Sequence, residues 1–217
     1  MKTCPTNPAA ILIDLDGTLA DSLSVMREAY QLFLGDFQVC GTDDEFSSLN
    51  GPPLIEVVRR LKVTHGLPHD EATLATKYFG IIDELYSSVS PAHGAKELLS
   101  AAQARNCRVA IVTSNSYERT SSWLARVGLT GFVDFVVSGE QVKFGKPDPE
   151  PYLLASRRVD CSVDRMIAIE DSIQGAKSAI GAGLYTYLLT QDCKESIALE
   201  GAVPAQSLEK IAIDVWS

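Results

Sequence analysis

The chain has 217 residues, 46% of them hydrophobic and 22% charged, enough to bury a sizeable core as one large domain or as a core carrying an insertion. A formal net charge of -9 argues against binding nucleic acid or an anionic membrane, both of which need a basic face. It leaves open a small anionic substrate held in a locally positive pocket. Five cysteines, Cys4, Cys40, Cys107, Cys161 and Cys193, form no CxxC or Cys/His cluster and read as reduced thiols. The start of the chain has no apolar stretch of signal-peptide length, and Asp14 cuts the run Ile11–Ile13, so the expectation is a cytoplasmic protein without a membrane span.

In chain order, short apolar and β-branched runs predict strands at Ala10–Leu15, Arg108–Thr113, Phe132–Val137, Met166–Glu170 and Thr186–Leu189. Between them, helical spacing of apolar residues marks Ala95–Arg105, Glu118–Val127, Pro149–Arg158 and Ile173–Ala182. Such alternation implies a doubly wound, Rossmann-like α/β fold with a mostly parallel sheet. Residues 22–90 differ. They carry three helical stripes and no comparable strand: Val25, Ala29, Leu32 and Phe33; Leu54, Val57, Val58 and Leu61; Leu74, Tyr78, Ile81, Ile82 and Leu85. The domain reading is therefore an α/β core of residues 1–21 and 91–217 with an all-helical cap, 22–90, inserted between.

The first strand ends in Asp14-Leu15-Asp16-Gly17. Alternation along a strand puts Asp14 and Asp16 on one side, and ligands of open α/β sheets bind beyond such carboxyl ends. Two adjacent carboxylates repel unless a cation or a shared proton stabilises them, and Mg²⁺ suits hard oxygen ligands. Taken alone, the segment reads equally well as turn and cap residues.

Three more segments fit the same site. Thr113-Ser114-Asn115-Ser116 follows a strand, where hydroxyls and backbone N–H groups hold phosphate oxygens or simply cap the next helix. Gly145-Lys146-Pro147-Asp148-Pro149 is a rigid loop whose lysine is placed to neutralise phosphate; its spacing excludes a Walker-type loop. Glu170-Asp171-Ser172 closes another strand, with Asp171 a candidate metal ligand and Glu170 its support. Capping of the helix that follows explains the same residues. Together the four segments supply a nucleophile, an acid/base, a phosphate anchor, a cationic neutraliser and a metal ligand, the set phosphoryl transfer needs.

At these residues the sequence resembles the haloacid dehalogenase-like hydrolases, in their phosphatase branch with a helical cap. The matching pieces, in family order, are Asp14-Leu-Asp-Gly-Thr-Leu-Ala-Asp-Ser22, Thr113-Ser-Asn115, Gly145-Lys-Pro-Asp-Pro149 and Glu170-Asp-Ser-Ile-Gln-Gly175. The resemblance implies Asp14 as nucleophile through an aspartyl-phosphate, and Asp16 as general acid and then base. It implies Thr113, with backbone at Ser114 and Asn115, on the phosphoryl group, and Lys146 as charge balance. Mg²⁺ would be held by Asp14, the main-chain carbonyl of Asp16, and Asp171, with Glu170 in support or bound through water. The substrate implied is a small phosphorylated metabolite, such as phosphoglycolate, a sugar phosphate or a nucleoside monophosphate.

Leu49-Asn-Gly-Pro-Pro-Leu54 resembles caps of phosphoglycolate-phosphatase-like members. Sugar phosphomutases share all four motifs and are the rival. They usually carry a histidine after the first motif and a basic residue after the cap's glycine, where this chain has Met26 and Pro52-Pro53. A non-catalytic binding module on the same fold is the lesser alternative. His65 and His69 stand at helical spacing, but Gly66 and Pro68 break the helix a metal pair would need. Arg59 and Arg60 read as a solvated face, His93 as a loop residue, and Trp123 and Trp216 as packing.

Overall fold

The structure, a computed structural model, describes residues 3–190 and 199–216; Cys193 lies outside them. Six parallel strands form one sheet: β1 (Ala10–Ile13), β2 (Arg108–Val112), β3 (Phe135–Val137), β4 (Met166–Glu170), β5 (Tyr185–Leu189) and β6 (Ala202–Ala205). Their spatial order is β3-β2-β1-β4-β5-β6. The order reverses at β1, which pairs Ile13 with Ile111 on one side and with Ile169 on the other. Ligands of doubly wound sheets bind at this switch point, beyond the carboxyl ends of the strands.

Helices cover both faces. These are α5 (Ala95–Ala104), α6 (Tyr117–Arg126), α7 (Glu150–Val159), α8 (Ile173–Gly181) and the C-terminal α9 (Leu208–Trp216). The central strands are buried on both sides, so β1 and β4 are apolar almost throughout: AILI and MIAIE, with every residue buried. Ile11, Ile13, Ile167 and Ile169 face one core cluster, while Ala10, Leu12, Met166 and Ala168 face the other. The predicted strand Phe132–Val137 begins later, because a 3-10 turn takes Thr130–Phe132. The short β6 carries an exposed Pro204 and buries only Ala205, so no apolar run announced it; α9, which buries Leu208, Ile211 and Val215, was also not among the predicted elements.

Between β1 and α5 lie α1 (Leu23–Gly35), α2 (Asp43–Ser48), α3 (Leu54–His65) and α4 (Glu71–Tyr86), with no strand among the described residues. Thr42 caps α2 through Glu45 N, and Asp70 caps α4 through Thr73 N, each satisfying an otherwise orphaned donor. The α1 stripe is rotated from the expected one. Tyr30, Phe33 and Leu34 are buried, whereas Leu32 is 49% exposed. Helix α3 stops at His65 because Gly66 adopts a left-handed conformation, and His65 meets Glu45 at 2.8 Å. Arg59 and Arg60 pair with Glu56 on the solvated face of α3. His93 pairs with Glu209 of α9, Trp123 is buried and Trp216 is half-buried.

Gly80 is exposed within α4, and a Cβ there would meet nothing within 4 Å. Gly80→Ala should therefore raise the unfolding free energy by about 0.5–1 kcal/mol, the intrinsic cost of a helical glycine. Denaturant melts of the two proteins measure it, and a loss of stability would contradict the packing described.

Candidate active site

The floor of the site is a buried charge triad. Lys146, 3% exposed, donates to Asp14 Oδ1 and to the carbonyl of Val112 at 3.0 Å, and pairs with Glu170 Oε1 at 2.6 Å. The three residues come from different elements: Asp14 from the end of β1, Glu170 from the end of β4, and Lys146 from the loop before α7. Asp14 is fixed in depth by its N–H donating to Ile169 O at 3.0 Å.

Glu170 is fully buried, so its oxygens need partners. Tyr152 of α7 donates to Oε1 at 2.7 Å and Ser172 to Oε2 at 3.2 Å. Ser172 Oγ also accepts from Gly175 N at 3.0 Å, so it caps α8 while holding Glu170; both readings of that segment hold. A Cβ at Gly175 would lie 2.0 Å from Glu170 Oε2, which is why the first turn of α8 carries a glycine there.

Asp14, Glu170 and Asp171 each place a carboxylate oxygen within 4.8 Å of the others. Burial pushes the Asp14 carboxyl well above its ordinary range; Lys146 opposes the rise, and Glu170 and Asp171 add to it. Burial, then Glu170, pushes Asp171 up to about 7. Burial works against the Lys146 ammonium as well, but Asp14 and Glu170 outweigh it and hold the amine protonated above its ordinary range. One ammonium thus faces three crowded carboxylates. This excess of buried oxygen charge fits a hard divalent cation, with Asp14 and Asp171 lining the cavity and Glu170 occupied behind them. Gly17, at φ 82, turns the chain so tightly that a Cβ would sit 2.2 Å from Asp171 Oδ2.

Asp16 is held separately. Its Oδ1 accepts from Ser22 Oγ at 2.8 Å and Tyr86 OH at 2.7 Å, and its Oδ2 from Asn115 Nδ2 at 3.1 Å. Thr113 is buried, and its Oγ1 accepts from Asn115 N at 3.0 Å, leaving the hydroxyl hydrogen for another acceptor. Ser114 Oγ donates to Gly51 O. The loop before α3 thereby closes on the sheet edge, with Gly51 against Ser172 and Gln174 and with Pro53 against Gly145.

Under that loop is a cavity of about 70 Å³. Asp14, Asp16, Thr113, Ser114, Asn115 and Asp171 line one side; Leu23, Met26, Phe46, Leu49, Leu54 and Tyr78 line much of the rest. All eight residues singled out from the sequence therefore converge, with Lys146 and Glu170 set behind the cavity wall. Sequence reasoning missed Ser22, Tyr86, Tyr152 and Arg119, because their partners lie far away along the chain. Only Ser22, at the end of the first motif, stood in a segment already under suspicion.

The sequence pattern of the haloacid dehalogenase-like hydrolases matches residues 11–189. The chain belongs to this family. Among its haloacid dehalogenase-like relatives, a phosphorylated carbohydrates phosphatase of Thermotoga maritima is 28% identical over 179 residues, covering 81% of this chain and 82% of that protein. A phosphoglycolate phosphatase of Nitrosospira multiformis is 29% identical over 185 residues, covering 82% and 81%. The crystal structure of a point mutant of CbbY from Rhodobacter sphaeroides, in complex with xylulose-(1,5)bisphosphate, superposes with a TM-score of 0.80 at 25% identity, covering 93% of this chain and 95% of that one.

Gly175→Ala should cost about 1–3 kcal/mol of stability, the usual range for overpacking a closed site. Thermal melts beside Gly80→Ala measure it, and equal behaviour of the two variants would contradict the contact with Glu170. A divalent cation must displace the proton that Asp171 retains up to about 7. Asp14, also pushed up by burial, must lose its proton too, so affinity should climb as pH rises through and beyond that value, with proton release on binding. Calorimetry in buffers of different ionisation enthalpy reads both, and pH-independent binding would count against the cluster as ligands.

Proposed function

We propose that the chain is a Mg²⁺-dependent phosphatase of small phosphomonoesters, acting through Asp14 as nucleophile. The observation that carries the reading is the Lys146 ammonium on Asp14 Oδ1, at a cavity that Asp16 also lines. Lys146 occupies one oxygen of Asp14 and opposes the rise that burial imposes on its carboxyl; the other oxygen of the carboxylate attacks phosphorus, forming a P–O bond as the ester P–O bond breaks. Asp16 gives its proton to the departing alkoxide, then takes one from the water that hydrolyses the aspartyl-phosphate. The Thr113 hydroxyl and the backbone of Ser114 and Asn115 hold the phosphoryl oxygens. In the present geometry Asn115 N–H serves Thr113, so of the two backbone donors Ser114 is the better placed.

Asp14, the main-chain carbonyl of Asp16, and Asp171 would hold Mg²⁺, with Glu170 supporting through Lys146 and Ser172. When bound, the ion supplies charge neutralisation for the phosphoryl oxygens. Residues 22–90 serve as a cap over the core of 1–21 and 91–217, and the clasp of Gly51 and Pro53 on the sheet edge supports that division. The relatives act, by their names, on phosphorylated carbohydrates and phosphoglycolate, which supports a small phosphorylated metabolite as substrate. Four thiols among the described residues are free, which supports a reducing, cytoplasmic setting. No helix among the described residues is long and apolar enough to cross a membrane.

The test is phosphate release from a panel of small phosphomonoesters with Mg²⁺ or with EDTA, including β-glucose 1-phosphate. Metal-dependent release is expected, and Asp14→Asn should lower kcat by at least about a thousandfold, since an amide cannot attack. Retained turnover in that variant would sink the mechanism. Isomerisation of β-glucose 1-phosphate without phosphate release would make the chain a mutase.

A further inference from the structure

Helix α6 presents three polar groups at positions 119, 123 and 126, one helical face, and all three grip the end of α4 or the residues just beyond it. Arg119 Nε meets Asp83 Oδ1 at 2.7 Å, and its second terminal nitrogen meets Phe79 O at 3.4 Å. Trp123 Nε1 donates to Val89 O at 3.0 Å, and Arg126 donates to Tyr86 O at 3.1 Å and Val89 O at 2.6 Å. This arrangement fixes Tyr86, the last residue of α4, whose hydroxyl reaches Asp16 Oδ1.

Arg119 has a second role. It is buried, and its Nη1 donates to Asn115 Oδ1, which turns the amide so that Nδ2 faces Asp16 Oδ2. Each oxygen of Asp16 therefore has one partner tied to the α4–α6 contact, Tyr86 on Oδ1 and, through Arg119, Asn115 on Oδ2, beside Ser22 on Oδ1 and the Ser116 N–H that also holds Asn115 Oδ1 at 2.9 Å. Two hydroxyl donors occupy Oδ1; Oδ2 accepts from the Asn115 amide, and so keeps room for the proton it must transfer.

Resting on the phosphatase reading above, we propose that Tyr86 and Arg119 are positioning residues that tie the inserted helices to the acid Asp16, so that protonation of the leaving group requires α4 to be docked. Tyr86 acts directly on Asp16, and Arg119 acts through Asn115 while anchoring α4 through Asp83.

The experiment compares kcat/KM for two esters, an alkyl phosphate and p-nitrophenyl phosphate. That ratio reports transfer of the phosphoryl group to the enzyme, in which an alkoxide needs a proton and a nitrophenolate does not. Tyr86→Phe removes one oxygen from a buried ring and should lose about tenfold more on the alkyl ester than on the aryl ester. Combined with Asp16→Asn it should add less than about twofold to the loss on the alkyl ester, because its effect passes through Asp16. Arg119→Lys keeps the charge but not the fork that spans Asp83 and Asn115, and should show the same preference. Equal losses on both esters, no loss, or an additive loss in the Asp16→Asn background would overturn the proposal and make Tyr86 a packing residue. If Arg119→Lys does not fold, the isosteric Tyr86→Phe decides alone. A wild-type protein inactive on both esters would instead overturn the phosphatase reading, and the proposal with it.

Discussion

A buried ammonium between two buried carboxylates, Lys146 between Asp14 and Glu170, is the constraint on which the rest of the site depends. Taking these charges out of water is costly unless each is paired and hydrogen-bonded, and removing one partner leaves a charge stranded. The surroundings are built to prevent that. Tyr152 and Ser172 complete Glu170, Val112 O completes Lys146, and Gly175 leaves the space that the Glu170 carboxylate fills. Helices α7 and α8 are thus placed by the same interaction that orients the nucleophile.

The sheet explains why such a cluster forms here. Because β1 is flanked by β2 and β4, three strand ends meet at one edge where the winding reverses. Each ends in polar residues: Asp14 after β1, Thr113 after β2, and Glu170 with Asp171 at β4. Backbone groups beyond strand ends are unpaired by the ladder, so this edge is also where N–H donors face outward. The negative charge gathered there exceeds what Lys146 balances. The upward shifts of Asp14 and Asp171 express that excess, and a cation with oxygen ligands relieves it.

The helices inserted after β1 add a second level of control. Pro53 rests on Gly145 and Ser114 on Gly51 at one end of the insertion, while α4 is fixed to α6 at the other. The cavity between is lined by Leu23, Met26, Phe46 and Leu54 as well as by the carboxylates. A dry lining strengthens every charge interaction within it. Asp16 lies where both levels meet: the strand end carries it, and Tyr86 from the insertion orients it.

Much of this was legible in the sequence, for physical reasons. Strands buried on both faces read as near-continuous apolar runs, so MIAIE and VAIVT declared themselves, and a sheet wound both ways brings their ends together whatever the helices do. Asp14, Asp16, Thr113, Glu170 and Asp171 could therefore be named from short motifs at strand ends, and Lys146 from the Pro-bounded loop before α7. The strand β6 escaped because an edge strand buries too little to impose a pattern, whereas α9 was overlooked although it buries Leu208, Ile211 and Val215 at helical spacing. Only the tertiary structure decided which side of α1 is buried, since Leu32 and Leu34 are both leucines yet Leu34 is buried and Leu32 exposed. Only the tertiary structure, too, could bring Tyr152 to Glu170 and join Arg119 to Asn115 and Asp83, and Tyr86 to Asp16. A tyrosine or arginine in a helix has the same local signature whether it meets solvent or a carboxylate. Periodicity reports which face is buried, and the partner waiting there is set by contacts between segments dozens of residues apart.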